Sequence, residues 1–256
     1  MTLFANSSMH LRMQLYSKDR RQRGVALFVV LVFVMLSMLL ALWATRTSLF
    51  NEMVVGNDAD YQRAYEAAQA LLQDAELDIR GEQSNGAECS GSGDVCRKTT
   101  ADKIPLEAQD VTPLLGQLEA QPTRCRNGLC AKRTGKQDFW NNSDESQGPT
   151  LAQMTASTVG ARYGQYTGAA KGSSSQPANP ILTDTGSANR GGWYWMEVLP
   201  YQDNKNSSLI MGGPHNLLPL NLKPFVVYRV TALAYGRKPN TMVVLQQTYA
   251  QQKRKN

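Results

Sequence analysis

A long apolar block occupies the N-terminal part of the chain. Residues 25–44 read VALFVVLVFVMLSMLLALWA, in which no residue is charged and Ser37 is the polar one. A run of about 20 such residues is long enough to cross a bilayer as a helix. The pattern therefore predicts a membrane-spanning helix at residues 25–46.

After this block the apolar positions recur every three or four residues. They are Leu49, Phe50, Met53, Val54, Tyr61, Ala64, Tyr65, Ala68, Leu71, Leu72, Ala75 and Ile79. The polar residues that fall largely between them are Asp58, Asp60, Gln62, Arg63, Glu66, Gln69 and Gln73. This spacing predicts an amphipathic helix at residues 47–80, whose half after Asn57 is expected to pack against the protein's own sheet. Gly81 favours a helix end after Arg80, whereas Gly56 weakens the helix by about 1 kcal/mol relative to alanine.

The C-terminal part, residues 193–250, alternates apolar and polar positions as strands do. The predicted strands are Trp193–Val198, Phe225–Tyr235 and Thr241–Tyr249, with a turn at Gly236–Asn240. Helix first and sheet last indicates an α+β fold, in which a long N-terminal helix packs on a C-terminal antiparallel sheet. Residues 81–192 are loop-rich, with one short helix expected between Pro105 and Leu118, and residues 251–256 form a basic tail.

Most of the net positive charge precedes the apolar block. The formal net charge is +6, and residues 1–24 carry five basic residues against Asp19, so this segment contributes +4. A basic flank before an apolar run is typical of the cytoplasmic side of a membrane helix. Binding to nucleic acid would instead require basic residues spread over one face. We expect no nucleic-acid partner, a cytoplasmic N-terminus and a periplasmic body.

Three fates of the N-terminal segment are open on the residues alone. A secretory signal would be cut after the apolar block, but Leu42 and Ala44 fit a small-x-small site poorly. A cut before Val25 would remove residues 1–24 as a leader and keep the helix. An uncut single-pass anchor is the third possibility.

The four cysteines predict disulfides. A periplasmic location would let disulfides persist, and four cysteines allow three pairings. Proximity favours Cys89–Cys96 and Cys125–Cys130, and the Asn-Gly between the second pair favours a tight turn. A zinc site fits poorly because no Cys-x-x-Cys occurs and His215 is distant in sequence.

No sequence motif predicts catalysis or a cofactor. His215 lies in a turn-like segment without a nucleophile motif beside it, and phosphate-binding glycine motifs are absent. Two polar segments, Asn141–Glu145 and residues 203–206, offer oxygen ligands that suit calcium, although neither matches an EF-hand loop. We therefore expect no enzyme, no resident cofactor and no metal, with calcium as the one weak alternative.

The sequence from Arg20 to Val25 (RRQRGV) resembles the cleavage site of type IV prepilins. This resemblance implies that a prepilin peptidase cuts between Gly24 and Val25 and methylates the new amine of Val25. Glycine presents no side chain to the enzyme there. The retained apolar helix would then serve first as a membrane anchor and later as a packing stem.

Further segments resemble minor pilins of the PilX family. They are Arg46–Ser48, Glu52–Met53, Gly56–Asn57, Ala64–Glu76, the GARYGQYTG segment at 160–168 and the YRVTALAYGRKPNT segment at 228–241. The fifth residue after the proposed cut is Val29, where major pilins have a glutamate. The missing glutamate is shared with PilX-like minor pilins and with GspK-type pseudopilins, and it implies a position at the filament tip.

The resemblance implies a minor pilin that takes part in a tip or priming complex for pilus assembly, adhesion or motility. The implied partners are other minor pilins, the major pilin, the prepilin peptidase, the inner-membrane assembly platform and a PilY-type adhesin. The implied location is the inner membrane and then the pilus at the cell surface. A GspK-like pseudopilin of type II secretion and a membrane-tethered binding protein that never polymerises remain as alternatives.

Overall fold

The computed structural model describes residues 23–90, 95–97, 103–105, 108–175, 177–204, 207–210 and 226–250. The chain forms two compact units that divide between Val54 and Val55. Apart from Arg23 and Gly24, the predicted leader lies outside the described residues. His215 and the basic tail at 251–256 also lie outside them.

A single helix, α1 (Arg23–Arg80), extends over 58 residues. Gly56 and Asn57 lie within it, so the glycine does not end the helix. The helix ends as predicted at Gly81, which has a φ of +67°. The amide of Glu82 donates to the carbonyl of Leu77 at 2.9 Å, and the amide of Gly81 donates to that of Asp78 at 3.1 Å. These two bonds are the pattern of a Schellman cap.

The second unit, which we call the body, contains two more α-helices, three short 3-10 helices and seven strands within the described residues. The helices are α2 (Ala108–Glu119) and α3 (Leu151–Met154), with 3-10 turns at Phe139–Asn141, Glu145–Gln147 and Ala169–Lys171. The strands are β1 (Cys125–Arg126), β2 (Leu129–Cys130), β3 (Ala161–Arg162), β4 (Gly192–Asn204), β5 (Ser207–Ile210), β6 (Val226–Tyr235) and β7 (Met242–Tyr249).

The sheet has the order β1-β2-β4-β6-β7, and β3 and β5 each pair with β4. The predicted antiparallel arrangement is confirmed for the long strands β4, β6 and β7. The structure differs at one edge, where β2 runs parallel to β4. The sheet is therefore mixed. The difference arises because β2 belongs to a short hairpin from the loop-rich region, whose alternation is too brief to predict.

Both faces of the central strands are buried, each in its own cluster. One cluster contains the inward residues of α1 together with Tyr194, Met196 and Val198 of β4. The other contains Trp193 and Trp195 of β4, and its remaining members are Cys125, Cys130, Phe139, Met154 and Leu233. Neighbouring strand residues point to opposite faces. One face is covered by α1 together with α2 and other parts of residues 81–192, and the opposite face is covered by further segments of that region.

Candidate assembly surface and the contacts that hold the body

The first unit offers an apolar surface, which we call the stem and define as residues 25–54. Every side chain of the stem is exposed, with Val25 at 68% and Val29 at 42% of full exposure. Within the described residues, α1 is the one helix long and apolar enough to cross a membrane. The predicted cleavage residues, Gly24 and Val25, lie in its first turn, and Val29 presents no charge on this surface.

Three hydroxyl groups of the stem are satisfied within the helix itself. The hydroxyl groups of Ser37, Thr45 and Thr47 each donate to the carbonyl oxygen four residues earlier, at 2.8 to 3.0 Å. An unsatisfied hydroxyl in hydrocarbon is costly, and such back-bonding removes that cost. One side of the stem carries a shallow groove lined by Val30, Phe33, Val34, Ser37, Met38 and Ala41.

In the body, the buried face of α1 contains three aspartates, Asp60, Asp74 and Asp78. They are 1%, 2% and 5% exposed. In the sequence Asp60 is one of the polar residues that fall largely between the apolar positions of the helix, yet its side chain is buried. The spacing along the helix could have indicated that these aspartates are buried. Asp60 is four residues before Ala64, and Asp74 and Asp78 continue the three- and four-residue steps from Leu71. Each of the three carboxylates binds a different segment of the body.

Asp60 holds the turn between β6 and β7. Its two oxygens accept hydrogen bonds from the amides of Arg237 at 2.9 Å and Lys238 at 3.0 Å. Burial raises the pKa of Asp60, but these backbone donors outweigh it and the net pKa is lowered. Gly236 allows the approach, because a Cβ there would collide with the Asp60 carboxylate. The predicted turn at residues 236–240 is thus fixed by a residue about 180 positions earlier.

Asp74 binds the GARYGQYTG segment, whose role the sequence left open. The amide of Gly164 donates to Asp74 Oδ2 at 2.7 Å, and the hydroxyl of Thr167 donates to Oδ1. Burial raises the pKa of Asp74 to about 6, against the lowering effect of these two donors, with a smaller contribution from Asp78. The segment therefore serves as a docking loop for α1.

Asp78 forms an ion pair with Arg97, and both side chains are nearly inaccessible at 2% and 5% exposure. Arg97 Nη2 lies 2.7 Å from Asp78 Oδ2, and the hydroxyl of Tyr194 donates to the same oxygen at 2.8 Å. Burial, reinforced by the Asp78 charge, raises the pKa of Tyr194 well above its ordinary value. The guanidinium of Arg97 also stacks on Tyr166 at 3.8 Å. The helix, a loop and β4 meet at this one carboxylate.

A second buried ion pair lies within the sheet. Glu197 of β4 is bound by Arg133 Nη2 at 2.9 Å, by the Arg133 amide at 2.8 Å and by Arg229 of β6. Burial raises the pKa of Glu197, but Arg229 and Arg133 outweigh it and the pKa is lowered. This cluster ties the segment after β2 to the two central strands. No motif or periodic pattern in the sequence points to these three residues.

The four cysteines form two disulfides in the structure. Cys89 is bonded to Cys96, and Cys125 is bonded to Cys130. The second bond closes the hairpin of β1 and β2, in which Asn127 and Gly128 adopt positive φ values of 51° and 83°. These are the angles that a tight Asn-Gly turn requires.

The oxygen-rich segment at residues 141–145 uses its polar groups within its own loop. Asp144 accepts hydrogen bonds from the amide and hydroxyl of Ser146 and from the Gln147 side chain. Asn142 donates to the carbonyls of Gly148 and Pro149. Among the described residues no three His, Cys, Asp or Glu side chains are grouped to hold a metal. Of the other segment, residues 205 and 206 lie outside the described residues.

Two family models match the chain, one at each end. The PilX N-terminal model matches residues 23–73, and the model of the C-terminal part of the type IV pilus assembly protein PilX matches residues 126–251. No curated protein and no solved structure matches it. The matched parts contain the stem, the part of α1 that carries Asp60 and the long strands of the sheet. The chain therefore belongs to the PilX family of type IV pilus proteins and is a PilX-family minor pilin.

Proposed function

We propose that this protein is matured by a prepilin peptidase, which cuts between Gly24 and Val25 and methylates Val25, and is then built into a type IV pilus. One observation carries the proposal. Residues 25–44 of the stem carry no charge and every side chain of the stem is exposed, so it needs an apolar environment that the described part of its own chain does not supply. The PilX family, whose models describe pilus assembly proteins, favours a filament as that environment.

The stem has two successive environments in this proposal. It spans the inner membrane with its basic end in the cytoplasm and the body in the periplasm, and then it packs against helices of other subunits. Because lipid is as apolar as leucine, helix association in that setting depends on close van der Waals packing. The groove around Ser37 and Ala41 suits such close packing, since small side chains there let a neighbouring helix approach.

The proposed partners are other minor pilins, the major pilin, the inner-membrane assembly platform and a PilY-type adhesin. We assign the protein to a tip or priming complex that serves assembly, adhesion or motility, because Val29 offers no carboxylate for the amine of another subunit. We also infer a structural role without catalysis, cofactor or metal. The polar clusters of the body support this role, since their contacts tie α1 and the loops to the sheet.

N-terminal analysis of the protein from membranes and from sheared pili tests the proposal. We expect a methylated Val25 in both fractions. Gly24→Val should leave the leader attached, because a branched side chain obstructs the peptidase, and the protein should be missing from pili. Gly116→Ala, at a helix glycine with open space around it, is the control and should be processed normally.

Three outcomes would contradict it. An intact N-terminus in the membrane fraction would leave an uncut anchor. Normal maturation without recovery from pili would favour a tethered protein that does not polymerise. A deletion that abolishes secretion but leaves pili intact would favour the GspK-like alternative.

A further inference from the structure

A cavity of about 240 Å³ lies in the body, beside the ion pair of Arg133 and Glu197. Its wall includes Arg124, Arg133, Thr134, Glu145, Gly148 and Gln153. Arg133 is 3% exposed and follows β2. Arg124 stands just before β1 and has a φ of +57°. The short hairpin of β1 and β2 thus brings two arginine residues to the wall of one cavity.

Three donors of these two arginines are buried without a partner. Arg133 donates through Nη2 to Glu197 at 2.9 Å and to the hydroxyl of Thr231 at 3.3 Å. Its Nε and Nη1 atoms, and the Nε of Arg124, make no hydrogen bond within the described part of the chain. A buried donor without a partner costs about 1–3 kcal/mol, and more when the group is charged. Arginine stays protonated under all ordinary conditions, so deprotonation does not relieve this cost.

The acidic groups nearby leave these donors unsatisfied. Glu197 is shared between Arg133 and Arg229. Glu119 accepts from Arg124 through Nη2, at 2.7 Å, rather than through Nε. Glu145 lines the cavity but is itself exposed. The Phe139 ring, 5.0 Å from the Arg133 guanidinium, contributes no acceptor oxygen.

We propose that this cavity is a binding site for a small oxyanion, a carboxylate, sulfate or phosphate group, held between Arg133 and Arg124. Such an anion offers several acceptor oxygens, and hydrogen bonds between a charged donor and a charged acceptor are about twice as strong as neutral ones. The volume exceeds what one water molecule occupies in the liquid, about 30 Å³, so a whole oxyanion fits. Glu145 opposes the anion and sets how tightly it is held.

The test uses the full chain in detergent, with sodium sulfate and sodium acetate titrated against sodium chloride at constant ionic strength. The side-chain Nε–H signals of the arginines are followed by NMR, and Tm is recorded in parallel. We expect a saturable shift of the Arg133 and Arg124 signals and a rise in Tm that follows the bound fraction. Because the purified chain is alone in the sample, saturation identifies a free anion as a ligand. If the signals shifted only after other pilus subunits were added, the ligand would not be a free anion and the proposal would be overturned.

Two surface substitutions sharpen the result without removing the buried pair. Arg124→Gln removes one charged donor and should weaken sulfate binding at least tenfold, because a hydrogen bond to a charged group is among the stronger ones. Glu145→Gln removes the opposing charge and should tighten binding several-fold. Arg190→Gln is the matched control, because Arg190 is also paired with a carboxylate at the surface, Asp184, and its removal should change nothing.

Sulfate also stabilises proteins in general by exclusion from their surface. An equal rise of Tm in all four proteins would mean an adventitious ion only and would overturn the proposal. A shift of the Arg133 signal on Glu145→Gln, with no response to any anion, would identify Glu145 as an internal partner and would also overturn it.

Discussion

The two halves of α1 share one secondary structure but follow different rules of composition. The stem carries large apolar side chains on all sides, and all of them are exposed. The half in the body instead buries small residues, Ala64, Ala67, Ala68 and Ala75, together with Leu71 and Ile79. The difference shows where each half finds its partner. The body half packs against its own sheet at close range, whereas the stem depends on an environment supplied from outside.

The polar groups of the two halves differ in the same way. Three hydroxyls of the stem, those of Ser37, Thr45 and Thr47, bond to the helix's own backbone, so they reach no other segment. The aspartates of the body half reach loops and strand β4, 90 to 178 residues away, through Gly164, Thr167, Tyr194, Arg237 and Lys238. Side chains that bond locally leave the stem free to change partners, whereas side chains that bond at long range fix the body.

The largest expected effect follows from breaking the buried pair of Asp78 and Arg97. Asp78→Ala leaves the Arg97 charge buried without its partner and should lower the free energy of unfolding by about 3–5 kcal/mol. Urea unfolding followed by tryptophan fluorescence measures it. Glu82→Gln breaks the more exposed pair of Arg80 and Glu82 and should cost less than about 1 kcal/mol. If both variants lost the same free energy of unfolding, burial would not be the reason that the Asp78 pair stabilises the body.

The second prediction concerns pH and Asp74. Its pKa is raised in the folded protein from 3.8 to about 6, so the folded state holds this proton more tightly than the unfolded chain. That contribution to stability is complete below about pH 4 and is lost as the pH rises through about 6. Between pH 4 and 7.5, wild type should lose about 2.4 kcal/mol relative to Asp74→Asn, which does not titrate. Parallel pH profiles of the two free energies of unfolding would contradict the assignment.

A smaller effect is expected at the hairpin that Asp60 holds. Asp60→Ala removes the acceptor for two backbone amides and should cost about 1.5–3 kcal/mol, the usual range for hydrogen bonds to a charged group. Asp58→Ala provides the control, because Asp58 lies two residues away on the exposed side. Hydrogen exchange at Arg237 and Lys238 should accelerate only in the first variant. If hydrogen exchange accelerated in both variants, general loosening of the helix would be the cause, and not the loss of the Asp60 acceptor.

The most direct comparison of the two halves uses one substitution at two places. Ala68 is fully buried, so Ala68→Leu overfills the packing of α1 and should destabilise the body by about 1–3 kcal/mol. Ala41 is exposed on the stem, so Ala41→Leu should leave the unfolding of the body unchanged in detergent. It should instead reduce recovery of the protein in sheared pili, because a larger side chain fills the groove. If both variants lost body stability, the claim that only the body half of α1 packs against the sheet would be contradicted.

The sequence predicted those parts of the molecule whose pattern is local. The helix and its end at Gly81, the three long strands, and the α+β class follow from periodicities of 3.6 and 2 and from turn chemistry. The apolar block likewise indicated the stem without reference to any other residue. The helix predicted between Pro105 and Leu118 is present as Ala108–Glu119. In each case a short continuous segment of the chain contains the whole signal.

Only the tertiary structure decided which polar residues are buried and what they bind. Asp60 and Glu197 look like surface carboxylates in sequence, yet they are buried because donors from remote segments satisfy them. The parallel pairing of β2 and the cavity between Arg124 and Arg133 have the same origin. Such contacts depend on chain segments that meet only after folding. Periodicity therefore identifies the elements of this pilin, while its charged interior is specified by how those elements are brought together.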